Sequence, residues 1–265
     1  MKAAFTIAQI VLGTFLFLMC TSEPTCAQDE KYTKSGRLAA PDLQHGASFT
    51  FQIAPDLPQF TFKIISDGRE SDNFGRPLAT VRTIQVFKGA AKKPMQLLDG
   101  CPFEESEPPP AISDWFRTED LNFDGYQDIF LLTHWGATGN RFGCIWLYDV
   151  ASGRFKYNQE FSSLLSRYWL HPQDKTIFTF QRGGAAGAVH EARRYKPSGE
   201  HLLLSWSEDQ DWDGERKQFH CLVKERRDTE MVIVRDAWGG GDSDEPEPCS
   251  TDRLSSEFMT DKKPN

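Results

Sequence analysis

The residues best placed to do chemistry are Asp120-Leu-Asn122-Phe-Asp124-Gly125-Tyr126-Gln-Asp128. Side-chain oxygens stand at the first, third, fifth and ninth positions, with glycine at the sixth. A hard cation such as Ca²⁺ takes six to eight oxygen ligands at about 2.3–2.6 Å, and a loop wrapped around one ion turns alternate side chains inward. Asp120, Asn122, Asp124 and Asp128 are the candidate side-chain ligands, and Tyr126 offers its backbone carbonyl. Gly125 permits the positive φ of the sharp turn that aims this carbonyl at the ion. The competing reading is an acidic turn between two strands that holds no ion.

The helix–loop–helix EF-hand closes with a bidentate glutamate at its twelfth position. The corresponding residue here is Leu131, within the apolar run Ile129-Phe-Leu-Leu-Thr133. Such a run predicts a buried strand leaving the loop, where an EF-hand would have a helix. The nine residues resemble the D-x-N-x-D-G-x-x-D calcium loop of integrin-type FG-GAP and VCBS β-repeats. That resemblance implies that Asp128 supplies the last carboxylate directly. A second acidic string, Asp209-Gln-Asp211-Trp-Asp213-Gly214, starts the same pattern but reaches Lys217 where a ligand is needed. A hairpin turn is expected there.

Nothing comparable points to catalysis. The six histidines are scattered and none stands in H-E-x-x-H. There is no G-x-S-x-G elbow, and Gly183-Gly-Ala-Ala-Gly187 lacks the Lys-Ser/Thr ending of a phosphate loop. Carboxylates are plentiful, yet no pair stands out as an acid/base couple. The chain therefore reads as a binding protein and not as an enzyme. The segment suited to touching a partner is His134–Gly143, expected as a glycine loop between two strands. Trp135, Arg141 and Phe142 are of the types that dominate interface energetics. Thr138, Gly139 and Asn140 complete the candidate contact set. An ordinary hairpin with a core tryptophan is the alternative.

These residues must be positioned by short strands. Phe49, Phe51 and Ile53 alternate with polar neighbours, as do Phe60, Phe62 and Ile64. Further strand-like runs cover 80–87, 95–98, 128–133, 144–150, 176–180, 189–195, 202–206, 218–224 and 231–234. Glycine- and aspartate-containing turns separate many of them. The class expected is all-β: an antiparallel meander, sandwich or propeller-like set of sheets with long loops. One short helix is expected over 160–167. The acidic, proline-rich run 104–110 is expected to stay out of any sheet. Residues 28–46 read as a flexible leader, 47–238 as a single β domain, and 239–265 as a mostly disordered tail.

The first 27 residues carry Lys2, an apolar stretch from Ile7 to Met19, and a small-residue site at Thr25-Cys-Ala27. This is the pattern of a secretory signal peptide, with an apolar core short for a membrane span. Lipidation at Cys20 is the lesser alternative. Of six cysteines, cleavage after Ala27 leaves Cys101, Cys144, Cys221 and Cys249. Four cysteines in an oxidising compartment imply two disulfides; sequence proximity favours Cys101–Cys144 and Cys221–Cys249. A periplasmic or secreted location follows. The formal net charge of -8 argues against nucleic acid and suits a basic protein partner.

From Glu119 to about Tyr195 the chain resembles a known group of proteins. The calcium loop is followed by a glycine loop ending in Gly139-Asn140, the aromatic strand Trp146-Leu-Tyr-Asp149, and the Ser152-Gly153-Arg-Phe155 hairpin. This order is similar to that of calcium-binding immunity proteins of bacterial-killing type IV secretion systems. Those proteins are similar in fold to periplasmic inhibitors of i-type lysozyme. The resemblance implies a Ca²⁺ cofactor and a lysozyme-like glycosidase or effector as partner. It also implies a Ser-Gly-x-Tyr loop that enters the enzyme's cleft. Thr138 and Gly139 align with the Ser and Gly, while the tyrosine position falls on Arg141, one residue before Phe142. The alternative function is a calcium-stabilised structural or adhesion-type module without inhibitory role.

Overall fold

The computed structural model describes residues 47–67, 79–101, 105–106, 115–136, 138–164, 167–184, 187–240, 248–249 and 254. The expected signal segment, Cys20, the leader and nearly all of the tail lie outside the described residues. Three antiparallel sheets make up the fold, as the strand-like runs predict. The first contains β1 (Ala47–Phe51), β2 (Phe60–Asp67), β3 (Ala79–Lys88) and β4 (Gln96–Leu98) in that order, with β5 (Glu105–Ser106) also pairing β3. The second runs β6 (Phe116–Glu119), β7 (Asp128–Trp135), β8 (Arg141–Asp149) and β9 (Arg154–Tyr157). A one-turn helix, α1 (Gln159–Ser162), leads to the third sheet. That sheet is an up-and-down meander of β10 (Arg167–His171), β11 (Thr176–Arg182), β12 (His190–Ser198), β13 (His201–Asp213), β14 (Gln218–Arg227) and β15 (Glu230–Gly239). Among the described residues no helix is long and apolar enough to cross a membrane.

The second sheet carries the candidate chemistry, and it is covered on both faces. Residues 128–132 of β7 and 144–148 of β8 are all buried, so neither strand shows the alternation of a half-exposed strand. On one face, Phe116, Tyr148 and Phe155 meet rings of the first sheet. Phe60 packs edge-on against Tyr148 and Phe155, at 5.9 and 5.8 Å between centroids. Phe62 lies 5.5 Å from both Phe116 and Phe155. The alternating phenylalanines of β2 thus serve as the inner face of the first sheet, with Phe60, Phe62 and Ile64 at most 1% exposed. On the other face, Phe130 packs on Tyr168 of β10, and Ser162 of α1 accepts from the Ile145 amide at 2.9 Å. A second, smaller core around Phe178, Phe180, Trp206 and Val223 belongs to the third sheet.

Both disulfides form in the expected pairing. Cys101–Cys144 fastens the segment after β4 to β8, and Cys221–Cys249 fastens the chain beyond β15 back onto β14. Their Cα separations are 5.8 and 5.7 Å.

Several expectations need correction. The helix is four residues long and stops at Ser162, capped at its start by Asn158, whose side chain accepts from the Phe161 amide. The far end of the predicted helix, Arg167, opens β10 instead. The proline-rich run does pair in part: Glu105 and Ser106 bridge to β3, while the rest of it lies outside the described residues. The acidic string 209–213 is strand, and the hairpin turn falls on 214–217, where Lys217 takes a positive φ of 57°. The predicted loop 134–143 is also shorter. His134 and Trp135 end β7, and Arg141 begins β8, so the connection proper is 136–140.

Candidate metal centre

The loop 120–127 joins β6 to β7, and the cross-strand pair Glu119–Asp128 closes its neck. Its shape is set by the candidate ligands themselves. The two carboxylate oxygens of Asp120 accept from the backbone N–H groups of Asp124 and Gly125, at 3.0 and 2.9 Å. Asn122 Oδ1 also accepts from the Asp124 amide, at 3.2 Å. Asp124 Oδ1 accepts from the Tyr126 amide at 2.9 Å, and its Oδ2 accepts from the Asn122 side-chain amide at 2.9 Å. The backbone therefore curls around three oxygen-bearing side chains, as the spacing predicts.

Gly125 takes the positive φ expected of it, 93°, and no atom would lie within 4 Å of a Cβ there. The requirement for glycine is thus one of backbone conformation and not of space. Phe123 is also left-handed, at φ 58°, which is rare and strained for an aromatic residue. Its ring packs against the core, and its carbonyl accepts from Lys175 Nζ at 3.4 Å. The Gln127 amide donates to the Ile53 carbonyl at 2.9 Å, tying the loop to the first sheet. The Tyr126 ring stacks on Tyr148 at 5.5 Å.

Asp128 is the least ordinary member. Its side chain is fully buried. One oxygen accepts from the Leu121 amide and the other from the Tyr148 amide of β8, each at 2.9 Å. Burial pushes its carboxyl up to about 8, against the pull of these two donors, and the charges of Asp124 and Asp120 push the same way. Burial and the Asp124 charge likewise raise Asp120. Three carboxyl groups thus share a small loop, and among the described residues no Lys, Arg or His side chain is hydrogen-bonded to any of them. Among the described residues, no three His, Cys, Asp or Glu side chains are gathered to hold a metal by themselves. The loop's donor set is wider than those types, since it includes Asn122 Oδ1 and the Tyr126 carbonyl. All its donors are oxygen, which fits Ca²⁺ and not a thiolate- or imidazole-preferring ion.

Residues beyond the nine hold the neck in place. Arg117 and Glu119 form an ion pair at 2.8 Å. The Tyr168 hydroxyl donates to Glu119 Oε2 and accepts from Arg117 Nη2, both at 2.7 Å. The Arg117 guanidinium also lies 4.1 Å over the Phe130 ring. This half-buried triad locks β6 to β10 beside the loop. Sequence reasoning missed it because Tyr168 stands 49 residues from Glu119.

At the other end of β7 and β8 lies the connection 136–140. Gly136 donates to the Asn140 carbonyl at 2.7 Å, and Gly139 donates back to the Gly136 carbonyl at 2.9 Å, with Gly139 at φ 76°. Thr138 is exposed and Phe142 is 40% exposed. Asn140 is placed otherwise than the contact set expected. It is 7% exposed, donates to the Arg182 carbonyl at 2.8 Å and accepts from the Arg182 amide at 3.1 Å. Its side chain clamps the connection to β11. Arg141 lines a small hollow with Phe130, Phe161 and Tyr168, so it lies along the sheet instead of projecting from the tip. The side chain of Trp135 is outside the described residues. The structure adds two cations that the sequence did not single out. A Cβ on Gly139 would lie 3.3 Å from Arg167 Nη2. Burial lowers Arg167, and the charges of Arg182 and Arg141 lower it further, which puts three arginines from three strands beside one connection.

No family model matches this chain, and no curated protein matches it. Its fold is similar to that of a solved structure described as a Xanthomonas type IV secretion system related protein. The two share 14% identity at a TM-score of 0.51, over 71% of this chain and 93% of that one. At that identity the likeness is one of fold.

Proposed function

We propose that this is an exported, calcium-binding β protein that works by binding another protein, in the setting of a bacterial type IV secretion system. The partner proposed is a peptidoglycan-degrading, lysozyme-like glycosidase, which the protein inhibits. One observation carries this reading: β7 and β8 form a single buried hairpin with the Asp120–Asp128 loop at its base and the 136–140 connection at its tip. When bound, calcium would supply charge to draw the loop's carboxylates together. Asp120, Asn122, Asp124 and Asp128 would hold it with side-chain oxygens, and Tyr126 with its carbonyl. The protein's own residues then fix the tip. Asn140 pins it to β11, Thr138 and Phe142 face outward, and Arg141, Arg167 and Arg182 surround its base with positive charge. Glycosidases carry a pair of carboxylates in their clefts, roughly 5–9.5 Å apart. A cationic tip on an otherwise acidic protein is complementary to such a cleft and to the basic surface around it. The two disulfides fit an oxidising compartment, and the fold neighbour's secretion-system connection supports the setting.

The test is inhibition of a panel of lysozyme-like muramidases by the purified protein, with calcium and with chelator. Phe142→Ala combined with Thr138→Asp alters two exposed tip residues, so the melting temperature is expected to hold while inhibition is lost. Full inhibition by that variant removes the tip from the mechanism. An absence of inhibition by the wild type across the panel leaves a calcium-stabilised module without inhibitory role.

A further inference from the structure

We infer that the exposed edge of β15 pairs with the same edge of a second copy of this chain. β15 is the last strand of the six-stranded sheet and, among the described residues, pairs with β14 alone. It therefore presents a row of unpaired backbone groups, which folded proteins ordinarily shorten, cover or charge. Here the strand is ten residues long, and its first half carries the apolar run 231–234, half-buried at Met231 and Val232 and exposed at Ile233 and Val234. Ile233 is 55% exposed and Val234 40% exposed. The β14–β15 register slips between Val223 and Lys224, which leaves Val234 as the extra residue on β15, next to Ile233. The other edge of the sheet differs. In β10, Tyr168 is held by Arg117 and Glu119, and Trp169 packs on the smaller core. The chain beyond β15 returns at the opposite end of the strand, since Cys249 bonds Cys221, and Cys221 stands across from Ala237.

What selects a second copy over any other strand is the order of side chains. The open stretch reads Glu230-Met-Val-Ile-Val-Arg235, and both charged ends are exposed. Because Val234 is the extra residue, Glu230 and Arg235 stand on the same face of the sheet, opposite Arg227 and Val223 of β14. Antiparallel pairing about a two-fold axis at Val232 then sets Glu230 opposite the other copy's Arg235, twice, with Met231 facing Ile233 and Val232 facing its own counterpart. Opposite charges and apolar β-formers in directly facing positions are the pairs that stabilise an antiparallel ladder. Sliding the axis by one residue, to Ile233, sets Glu230 against Ala237 and Asp236 against Met231, which loses both ion pairs. The interface is thus self-complementary and closed, as a two-fold contact must be. A six-residue edge buries much less than the roughly 1,000 Å² of a stable complex, so the dimer forms only at high concentration.

Sedimentation or light scattering on protein purified from a secreting host reads the outcome. The wild-type mass is expected to rise toward twice the monomer's between roughly 10 µM and roughly 1 mM. Glu230→Arg and Arg235→Glu each place like charges at both ends, and each is expected to stay monomeric over that range with an unchanged melting temperature. Ile233→Lys, which keeps both native charges, is expected to stay monomeric too. An equimolar mixture of Glu230→Arg and Arg235→Glu chains brings two Arg against two Glu and is expected to regain the dimer. A wild type that is monomeric throughout overturns the inference. So does a dimer that survives the single charge reversals, or a mixture that fails to recover.

Discussion

Removing one exposed carboxylate from the candidate metal loop separates the loop's own stability from the contribution of an ion. Asp124 is suited to this because its side chain is exposed, and among the described residues its oxygens accept from Tyr126 N–H and the Asn122 amide alone. Without calcium, Asp124→Ala loses two exposed hydrogen bonds, for a cost of about 1 kcal/mol. It also removes a charge that repels the Asp120 carboxylate, which offsets part of that. With calcium the balance changes. An ion that binds only the folded state adds RT ln(1 + [L]/Kd), or about 2.7 kcal/mol at one hundred times Kd. At about 2–4 °C per kcal/mol for a domain of this size, the wild type should melt about 5–10 °C higher in excess calcium than in chelator. Asp124→Ala should show little of that gap while melting near the wild type in chelator. Thermal unfolding followed by circular dichroism, in a four-way comparison of both proteins with calcium and with chelator, gives the coupling directly. A wild type that melts identically in calcium and chelator refutes the metal assignment. An undiminished gap in Asp124→Ala refutes the role given to this loop.

Three further outcomes are expected. Asp128 is buried, and its folded carboxyl lies near 8, well above its unfolded value near 4. In chelator, the folded state therefore holds this proton longer. The contribution is full below about pH 4 and falls away as pH rises through about 8, so denaturant midpoints should decline across that window, and less steeply in calcium. Gly143→Ala places a Cβ 2.5 Å from Phe130 Cε2 and 2.6 Å from the Leu131 carbonyl, so equilibrium unfolding should show a loss of about 1–3 kcal/mol. Asn140→Ala removes both hydrogen bonds to Arg182 from a buried position and should cost about 1–3 kcal/mol. It should also speed hydrogen exchange at the Arg182 amide, which has lost its acceptor.

The parts of the fold that could be read in advance are those where side-chain chemistry repeats with the pleat. Phe60, Phe62 and Ile64 announce β2 because one face of that strand is buried and the other is not. The missed strands lack that signature. In β6, Phe116 is followed by Arg117, Thr118 and Glu119, and the charges of Arg117 and Glu119 are held by the Tyr168 hydroxyl of β10. The second half of β13 resembled a turn because it is acidic. It stays extended because its charges find partners across the sheet: Asp209 pairs with Arg193 at 2.6 Å, and buried Glu208 lies 3.3 Å from His190. The metal loop was legible because its ligands are consecutive. The Arg141, Arg167 and Arg182 group was not, since three strands must fold before those residues become neighbours.

The hairpin of β7 and β8 sets a distance as well as a scaffold. Its base at Asp128 and its tip beyond Trp135 are separated by seven residue steps, or about 23 Å at roughly 3.3 Å each. That is more than two Debye lengths in physiological salt, where the screening length is about 8 Å. A charge held at the base is therefore almost invisible to anything docked at the tip. Whatever passes between the two ends must travel as stiffness, through strands whose 128–132 and 144–148 stretches are buried and which are closed at the base by Asp128 and at the tip by Asn140.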